Sequence, residues 1–249
     1  MLNPSLRKAE EFVLGYLHEK HLRAEDLGVK PVVVLTNSDR FFRELISQTN
    51  CQRSPDWLYD EFAPLYFGSM PGIDFAFAKC LPPGAAFSME MEVLRVLGGK
   101  IVIGVFEDIG VGTGTGKIYL VESALCTDGI SYRYSGGRRE VNASYRIHKF
   151  LANILEMEEI RFGIGRAGST DTPYYIVESD IQFLKQNGVE LISLYISQMY
   201  ACCFFSGIES CAISITTEDL LQKPKVSSEP LFSGIASTLG KHLGELAFI

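Results

Sequence analysis

The segment Pro31-Val-Val-Val-Leu-Thr36 is a short run of apolar, mostly β-branched residues that ends in the polar turn Asn37-Ser38-Asp39. A continuous apolar run of this length predicts a β-strand buried on both faces, as in a sheet that helices cover on each side. Residues 100–106, with the sequence Lys-Ile-Val-Ile-Gly-Val-Phe, repeat the pattern. We therefore expect these two segments to lie in the interior of one sheet.

Segments with the spacing of amphipathic helices alternate with the predicted strands. In residues 5–20, for example, Ala9, Val13 and Leu17 fall on one helical face. Helices are predicted over residues 5–20, 40–49, 85–97, 141–157, 172–187, 195–205 and from 228 onward, and strands over residues 31–36, 63–68, 73–78, 100–106, 117–125, 162–164, 189–194 and 211–216. Without linkers or internal repeats, this pattern predicts a single domain over residues 1–249, with an α/β fold of three α/β/α layers around a mixed central sheet.

Composition and charge exclude several classes of protein. Of the 249 residues, 47% are apolar and 21% are charged, as in chains that bury a globular core rather than stay disordered. The formal net charge is −7, from 23 basic and 30 acidic residues. A protein that coats nucleic acid needs a basic surface to displace counterions from phosphates, so we expect no nucleic-acid partner.

The sequence has no evident targeting signal, membrane span or metal motif. Residues 1–20 are charged and amphipathic, and the most apolar stretch, residues 191–215, is interrupted by polar residues. We expect a cytoplasmic protein with no membrane partner. The six cysteines are predicted to be reduced thiols, and neither they nor the four histidines have metal-ligand spacing, so no metal site is expected.

The glycine-rich stretch from Gly110 to Lys117 does not meet the requirements of a nucleotide-binding loop. A P-loop needs a glycine where Val111 stands and a Ser or Thr where Ile118 stands. The segment that follows has the pattern of a strand, so no helix N-terminus is available to hold a phosphate. We interpret the stretch as a connection between two strands.

Met89-Glu90-Met91-Glu92 places two carboxylates two residues apart on a predicted helix. At this spacing the side chains project about 200° apart, so they cannot act together as a catalytic pair. We expect a solvated carboxylate, Glu90 or Glu92, at this position.

A series of short motifs along the chain carries a family resemblance. They are Thr36-Asn-Ser-Asp-Arg40, then Ser123-Ala-Leu-Cys-Thr-Asp-Gly129, then Ser169-Thr-Asp-Thr-Pro-Tyr174, and finally residues 212–219, Ala-Ile-Ser-Ile-Thr-Thr-Glu-Asp. In this order they resemble the G-D-P-x-R, S-A-x-R-x-D-G, T-T-D-A-P-Y and V-V-S-D motifs of the nucleoside phosphorylase superfamily, which includes the uridine phosphorylases. The resemblance extends over residues 20–245.

The resemblance implies a phosphorylase-like fold and a homo-oligomer, usually a dimer or hexamer. Members of the family cleave the N-glycosidic bond of nucleosides: phosphate attacks the anomeric carbon of the ribose as the base leaves, and in the nucleosidase branch water replaces phosphate. The implied partner is a nucleoside or nucleobase, with phosphate as co-substrate and no other cofactor. The reaction needs an anion site, acceptors for the ribose hydroxyls and a donor to the departing base.

Parts of the family's phosphate and ribose sites correspond to residues of this chain. Arg40 stands at the position of the first phosphate arginine, whose forked guanidinium suits a phosphate group. Ser193 and Tyr195 stand where the family has its ribose-binding glutamates. His21 stands where a histidine of a neighbouring subunit reaches the ribose.

The base end of the family's site also has counterparts. Glu218 stands where purine-specific members carry the aspartate that protonates the departing base, and it is the implied catalytic residue. Arg166, Thr170 and Asp171 lie in or beside the stretch that covers the base pocket. The motifs leave the preference between uracil and purine bases open.

The second phosphate element of the family is altered in this chain. Where the family has an arginine and then G-T-x-G, the sequence has Glu107 and Asp108 among apolar residues. At a separation of about 4 Å and an effective dielectric constant of about 20, each such charge costs a bound phosphate about 4 kcal/mol, or about a thousandfold in affinity. These carboxylates would instead hold a ribose hydroxyl, polarise a water molecule, or mark a lost site.

Two functions therefore stay open. The first is a divergent nucleoside phosphorylase or nucleosidase of nucleoside salvage. The alternative is a catalytically silent protein of the same fold that binds a nucleoside, a base or a protein partner.

Overall fold

A mixed β-sheet forms the centre of the molecule. The computed structural model describes residues 4–70, 72–222 and 229–248. The strands are β1 (Val32–Thr36), β2 (Cys51–Arg53), β3 (Leu65–Met70), β4 (Ile73–Lys79), β5 (Ile101–Gly110), β6 (Ile118–Leu125), β7 (Glu140–Asn142), β8 (Gly163–Gly168), β9 (Leu191–Ile192) and β10 (Glu209–Asp219). The helices are α1 (Pro4–Lys20), α2 (Asp39–Gln48), α3 (Ala85–Val96), α4 (Gly129–Tyr134), α5 (Tyr145–Met157), α6 (Glu178–Gln186), α7 (Ile196–Ser206) and α8 (Glu229–His242), with 3₁₀ segments at Ala24–Leu27 and Leu243–Phe248.

The sheet is organised around β5. This strand pairs in parallel with β1 on one side and with β10 on the other, and its last residues, Ile109 and Gly110, pair antiparallel with β9. From β9 the pairing continues through β8 and β6 back to β10, so these strands close into a ring. Beyond β1 lie β4, β3 and β2, and β7 pairs with β6. The ends of β1, β5 and β9 therefore meet at one edge of the sheet.

Helices cover both faces of this sheet. Along β1, Val33 and Leu35 belong to one apolar cluster, and Val32 and Val34 belong to the other, because successive strand residues point to opposite faces. The first cluster includes residues of α1, α3 and α7, and the second includes residues of α2, α5 and α8. The prediction of three α/β/α layers around a mixed sheet is confirmed. The closure of β5, β10, β6, β8 and β9 into a ring was not predicted.

Several predicted elements differ from the structure in their extent. The helix predicted over residues 141–157 begins at residue 145, because the residues before it form β7 and pair with β6. The helix predicted over residues 172–187 begins at residue 178, after a turn in which the Tyr175 N–H bonds to the Thr172 carbonyl at 2.9 Å. The strand predicted over residues 189–194 is only as long as β9, because the chain then turns into α7. The elements α4 and β2 were not predicted, and the helix start predicted at residue 228 lies outside the described residues.

The cysteines and the glycine-rich stretch were also the subject of predictions from the sequence. All six cysteines are free, and all but Cys51 are buried, as predicted. The glycine-rich stretch connects β5 to β6, and Asp219 holds it by accepting a hydrogen bond from the Gly114 N–H at 2.8 Å. Within the described ranges, no helix is both long enough and apolar enough to cross a bilayer.

Tyr200 joins two strands of the ring, and its hydroxyl provides a test of the fold. The hydroxyl donates to the Val121 carbonyl of β6 at 2.7 Å and accepts from the Ala212 N–H of β10 at 2.9 Å.

Because Tyr200→Phe leaves both buried backbone groups without this partner, we expect the free energy of unfolding to fall by about 2 kcal/mol in urea titrations. The control is Tyr145→Phe, whose ring is 80% exposed and whose effect should stay within about 0.5 kcal/mol. Equal stability of the two variants would contradict this role of the hydroxyl.

Candidate functional site

A small cleft lies where the ends of β1, β5 and β9 meet. Its volume is about 80 Å³, and its lining includes Asn37, Glu107, Asp108, Thr170, Leu194 and Tyr195. We call it the carboxylate cleft. Four residues singled out from the sequence, Glu107, Asp108, Thr170 and Tyr195, are thus brought together by strands and loops that are far apart in the chain.

A second cavity of about 350 Å³ adjoins the carboxylate cleft, and we call it the side cavity. Thr170, Ile176 and Ile192 line both spaces, so the two meet at these residues. The side cavity adds polar groups that include Asp171 and Asp180. Its volume falls within the range of small-molecule sites, whereas the carboxylate cleft alone falls below it.

The turn after β1 is fastened to β5 by side-chain hydrogen bonds. The Asn37 amide donates to the Glu107 carbonyl at 3.0 Å and accepts from the Glu107 N–H at 2.8 Å. The Ser38 hydroxyl donates to the Glu107 carboxylate, and the Thr36 hydroxyl donates to the Val105 carbonyl at 2.6 Å. These contacts hold Glu107 at the edge of the carboxylate cleft.

Asp108 is the buried acid of the carboxylate cleft, with only 4% of its surface exposed. Its Oδ2 accepts a hydrogen bond from the Ser214 hydroxyl at 2.6 Å, and the Ser193 hydroxyl is also bonded to it. Burial raises the pKa of Asp108 to about 7; the two serines oppose this rise and the Glu107 charge adds to it. A carboxyl group that titrates near neutral pH can accept and return a proton under working conditions.

The ring of Tyr195 forms one wall of the carboxylate cleft. It stacks on Phe106 at a centroid distance of 5.4 Å and meets Phe87 edge-on at 5.1 Å. The stack depends on Gly104, because a Cβ atom there would stand 2.2 Å from the Phe106 ring. The glycine therefore lets Phe106 fold over β5 and support Tyr195.

The hydroxyl of Tyr195 lies among acidic groups. Burial first, and then the nearby Cys80, Glu90 and Asp108, raise the pKa of Tyr195 above its usual value. The phenol therefore stays neutral and offers a ligand a hydrogen-bond donor or acceptor, not a charge.

Ser193 lies beneath the carboxylate cleft and is fully buried. Its hydroxyl bonds to Asp108 and accepts from the N–H groups of Tyr195 and Ile196, both at 3.2 Å, at the start of α7. The geometry thus gives Ser193 a supporting contact to Asp108, and direct ribose binding by this residue stays a prediction.

Thr170 and Asp171, which the family resemblance assigns to the base end of the site, both line the cavities. Thr170 lines both of them, and its hydroxyl accepts from the Thr172 N–H at 3.0 Å. Asp171 lines the side cavity and accepts from the Gly129 N–H at 3.0 Å.

Arg40 and Arg166 do not line either cavity. Arg40 is paired with Glu229 at the start of α8, at 3.3 Å. Arg166 donates to the Asn187 carbonyl at 2.7 Å and is paired with Glu140 at 3.0 Å. The structure therefore does not bring these two predicted binding residues together with the acids of the carboxylate cleft, and each has an acidic partner elsewhere.

His21 and Glu218 lie outside the lining as well. His21 is an exposed residue just after α1, with a left-handed backbone (φ 55°), and its predicted role requires a neighbouring subunit. Glu218 follows a bulge in β10 and pairs across the ladder with Ile109, which lines the carboxylate cleft. Glu218 is thus exposed beside the cleft, and its role in protonating a base stays a prediction.

Acidic side chains dominate both spaces. In the part of the chain that the structure describes, the lining has the acids Glu107, Asp108, Asp171 and Asp180 and no Lys or Arg. Lys79 approaches the turn after β1, but it is engaged by the Asn37 carbonyl at 3.0 Å and by Asp39 at 2.7 Å. Among the described residues, no cluster of His, Cys, Asp and Glu could hold a metal ion.

Glu90 is a further candidate site residue that was not identified from the sequence. The expectation that this position carries a solvated carboxylate is wrong for Glu90. Its side chain is 0% exposed. The sequence contained an indication of this burial, since Glu90 lies three residues after Phe87 and four before Leu94, on the apolar face of α3.

A further cavity, of about 620 Å³, lies at the starts of β6, β8 and α8. Its lining includes Lys117, Tyr119 and Arg161 and none of the residues that the family resemblance assigns to the nucleoside site.

Comparisons with known proteins give a clear result for the fold. No protein-family model matches the chain, and no curated protein matches its sequence. Among solved structures, the purine nucleoside phosphorylase of Toxoplasma gondii in complex with immucillin-H matches with a TM-score of 0.79 and 17% identity, over 91% of this chain and 94% of that one. The P. knowlesi homologue of the P. falciparum PNP matches with a TM-score of 0.73 and 15% identity, over 88% of this chain and 90% of that one. The chain therefore has the fold of the nucleoside phosphorylase superfamily.

Proposed function

We propose that this protein binds a nucleoside and cleaves its N-glycosidic bond with water as the nucleophile. One observation carries the proposal: the cleft at the ends of β1, β5 and β9 holds two carboxylates and, in its described lining, no cation. A phosphate ion would meet repulsion there, whereas water and ribose hydroxyls are suited to carboxylate acceptors. The fold supports the general class of reaction, and the acidic lining supports hydrolysis over phosphorolysis.

The two adjoining spaces suggest how a nucleoside lies. The ribose fits the carboxylate cleft, where Glu107, Asp108 and Tyr195 offer hydrogen-bonding groups. The base extends past Thr170 toward the side cavity. Because the carboxylate cleft is small, we expect side chains at its rim to move when a nucleoside enters.

In the proposed reaction Asp108 is the general base. The oxygen of a water molecule forms a bond to the anomeric carbon, the carbon–nitrogen bond breaks, and the bond's electron pair leaves with the base. Asp108 accepts the proton that the water loses, and the departing base takes up a proton, for which Glu218 is the proposed donor. A general base of this kind contributes about a hundredfold to ten-thousandfold to the rate.

A catalytically silent binder is the second candidate. It is favoured by the position of Arg40, whose pairing with Glu229 leaves the lining without the phosphate arginine that the family resemblance implies. Both candidate functions use the same nucleoside site, but the silent binder does not cleave the nucleoside.

The first test measures release of the base from adenosine, inosine, uridine and cytidine, with and without phosphate. We expect release from at least one nucleoside without phosphate, and no more than about a twofold change when phosphate is added, because the acidic lining excludes the anion. Release that depends on phosphate would contradict hydrolysis. Thermal stabilisation by a nucleoside without any release would favour the silent binder.

A second test examines Asp108 through Asp108→Asn, which removes the base and keeps the shape. We expect kcat for base release to fall at least about a hundredfold, with little change in nucleoside affinity. In the unmodified protein kcat/KM should rise with pH up to about 7, as Asp108 becomes ionised.

The matched control for this change is Glu156→Gln, an exposed carboxylate of α5 outside both cavities. It should leave the rate and its pH profile unchanged. A rate in Asp108→Asn equal to that of the control would remove Asp108 from the reaction.

A further inference from the structure

Glu90 is a buried carboxyl group with one oxygen left over. It lies on α3 with no exposed surface, and its Oε2 accepts from the Leu81 N–H at 2.8 Å. Its Oε1 is buried and has no hydrogen-bond partner, and the same is true of the nearby Tyr59 hydroxyl. Buried polar atoms are nearly always paired, so two such atoms in one region call for an explanation.

The contacts of Glu90 favour its neutral form. An ionised carboxylate would need donors at both oxygens, and only Oε2 has one. A neutral carboxyl group accepts at Oε2 and carries a proton at Oε1, which needs only an acceptor such as a tyrosine oxygen. Burial raises the pKa of Glu90 to about 8, which the Leu81 N–H partly offsets.

The surroundings of Glu90 lead to the wall of the carboxylate cleft. One turn before Glu90 on the same face of α3, the ring of Phe87 meets Tyr195 edge-on. The start of α3 is also fastened to α7, because the Gly84 N–H donates to the Gln198 side chain at 2.9 Å. A charge on Glu90 acts on the Tyr195 hydroxyl, as does a charge on Asp108. Tyr195 therefore contacts α3 through Phe87 and lines the cleft that also contains Asp108.

We infer that Glu90 is a positioning residue of the site: its buried carboxyl group fixes α3 to the Leu81 backbone, one turn after the Phe87 ring that packs against Tyr195. The inference rests on the proposed function, since it assigns Tyr195 to the wall of a working nucleoside site. Glu90 itself does not touch the ligand.

Loss of the Glu90 proton would place a buried negative charge, with one oxygen unpaired, on the face of α3 that carries Phe87. The titratable groups that face Glu90 are Tyr59, Cys80 and Tyr195, and each has its pKa raised by burial and further by the Glu90 charge. None of them can compensate an ionised Glu90, because none is a cation. An ionised Glu90 would therefore disturb the packing of α3 and with it the contact between Phe87 and Tyr195, so we expect the site to work only while Glu90 holds its proton.

The test compares the pH profile of base release in the unmodified protein, Glu90→Gln and Glu92→Gln, with adenosine and uridine as probes. Gln keeps the neutral shape of a protonated Glu and cannot ionise. In the unmodified protein we expect kcat/KM to fall above a pH of about 8, by about tenfold for each further pH unit. Glu90→Gln should lose this fall, and Glu90→Ala should be about tenfold less active at pH 7 than Glu90→Gln.

Glu92→Gln is the matched control, because Glu92 lies on the same helix and accepts from the Tyr134 hydroxyl, away from the carboxylate cleft. It should keep the fall above pH 8. If Glu90→Gln keeps the same fall as the unmodified protein and Glu92→Gln, the inference is overturned.

Stability gives an independent readout of the Glu90 proton. The folded protein holds this proton up to a pH of about 8, whereas the unfolded chain releases it near 4.5. The free energy of unfolding therefore falls as pH rises between these values, and Glu90→Gln should remove that part of the fall. A stability profile that changes without any change in the activity profile makes Glu90 merely structural and overturns the inference.

A failure of the proposed function would give a different result from a failure of the inference about Glu90. Adenosine and uridine would then be neither cleaved nor bound by any variant, with binding measured as thermal stabilisation, and the inference would fall with the proposal. An active protein whose profile ignores Glu90 would overturn the inference alone.

Discussion

The two hydrogen bonds between the Asn37 side chain and the backbone of Glu107 are the constraint on which the site depends. They join the turn after β1 to β5 at the point where β5 leaves β1 and continues to pair with β9 and β10. With the backbone of Glu107 fixed, its side chain lies at the rim of the carboxylate cleft, and Asp108, the next residue, lies at the buried end. A shift of this joint would move both acids together, because they are adjacent in one strand.

The acidic cleft changes what the phosphorylase fold can do in this chain. A guanidinium or ammonium group fixed in the lining would attract phosphate, but Arg40 and Arg166 are held in ion pairs elsewhere. The lining keeps the carboxyl group of Asp108 beside the neutral Tyr195, and Glu90 is buried in α3 one turn from the Phe87 ring that contacts Tyr195. Burial raises the pKa of both acids toward neutral pH, which supports the proposal of proton transfer at this site.

Local patterns predicted the fold class, because a strand buried on both faces, such as residues 32–36, must consist of apolar residues. The closure of the ring could not be predicted, because it depends on β5 pairing with partners about a hundred residues away. Among the residues of the carboxylate cleft, Asp108 and Tyr195 were singled out from the sequence as departures from the family motifs, whereas the ion pair between Arg40 and Glu229 could not be predicted. The helical spacing places Glu90 on the apolar face of α3, but the Leu81 N–H that pairs with it comes from outside the helix and could not be predicted.

The central claim is that water, not phosphate, attacks the nucleoside. The most direct measurement identifies the sugar product by ³¹P and ¹H nuclear magnetic resonance, in a reaction that contains a cleavable nucleoside and excess inorganic phosphate. Hydrolysis gives free ribose and leaves the phosphate signal unchanged, and this is the result that we expect. Ribose 1-phosphate as the product would contradict it, because phosphate would then have reached the anomeric carbon past Glu107 and Asp108.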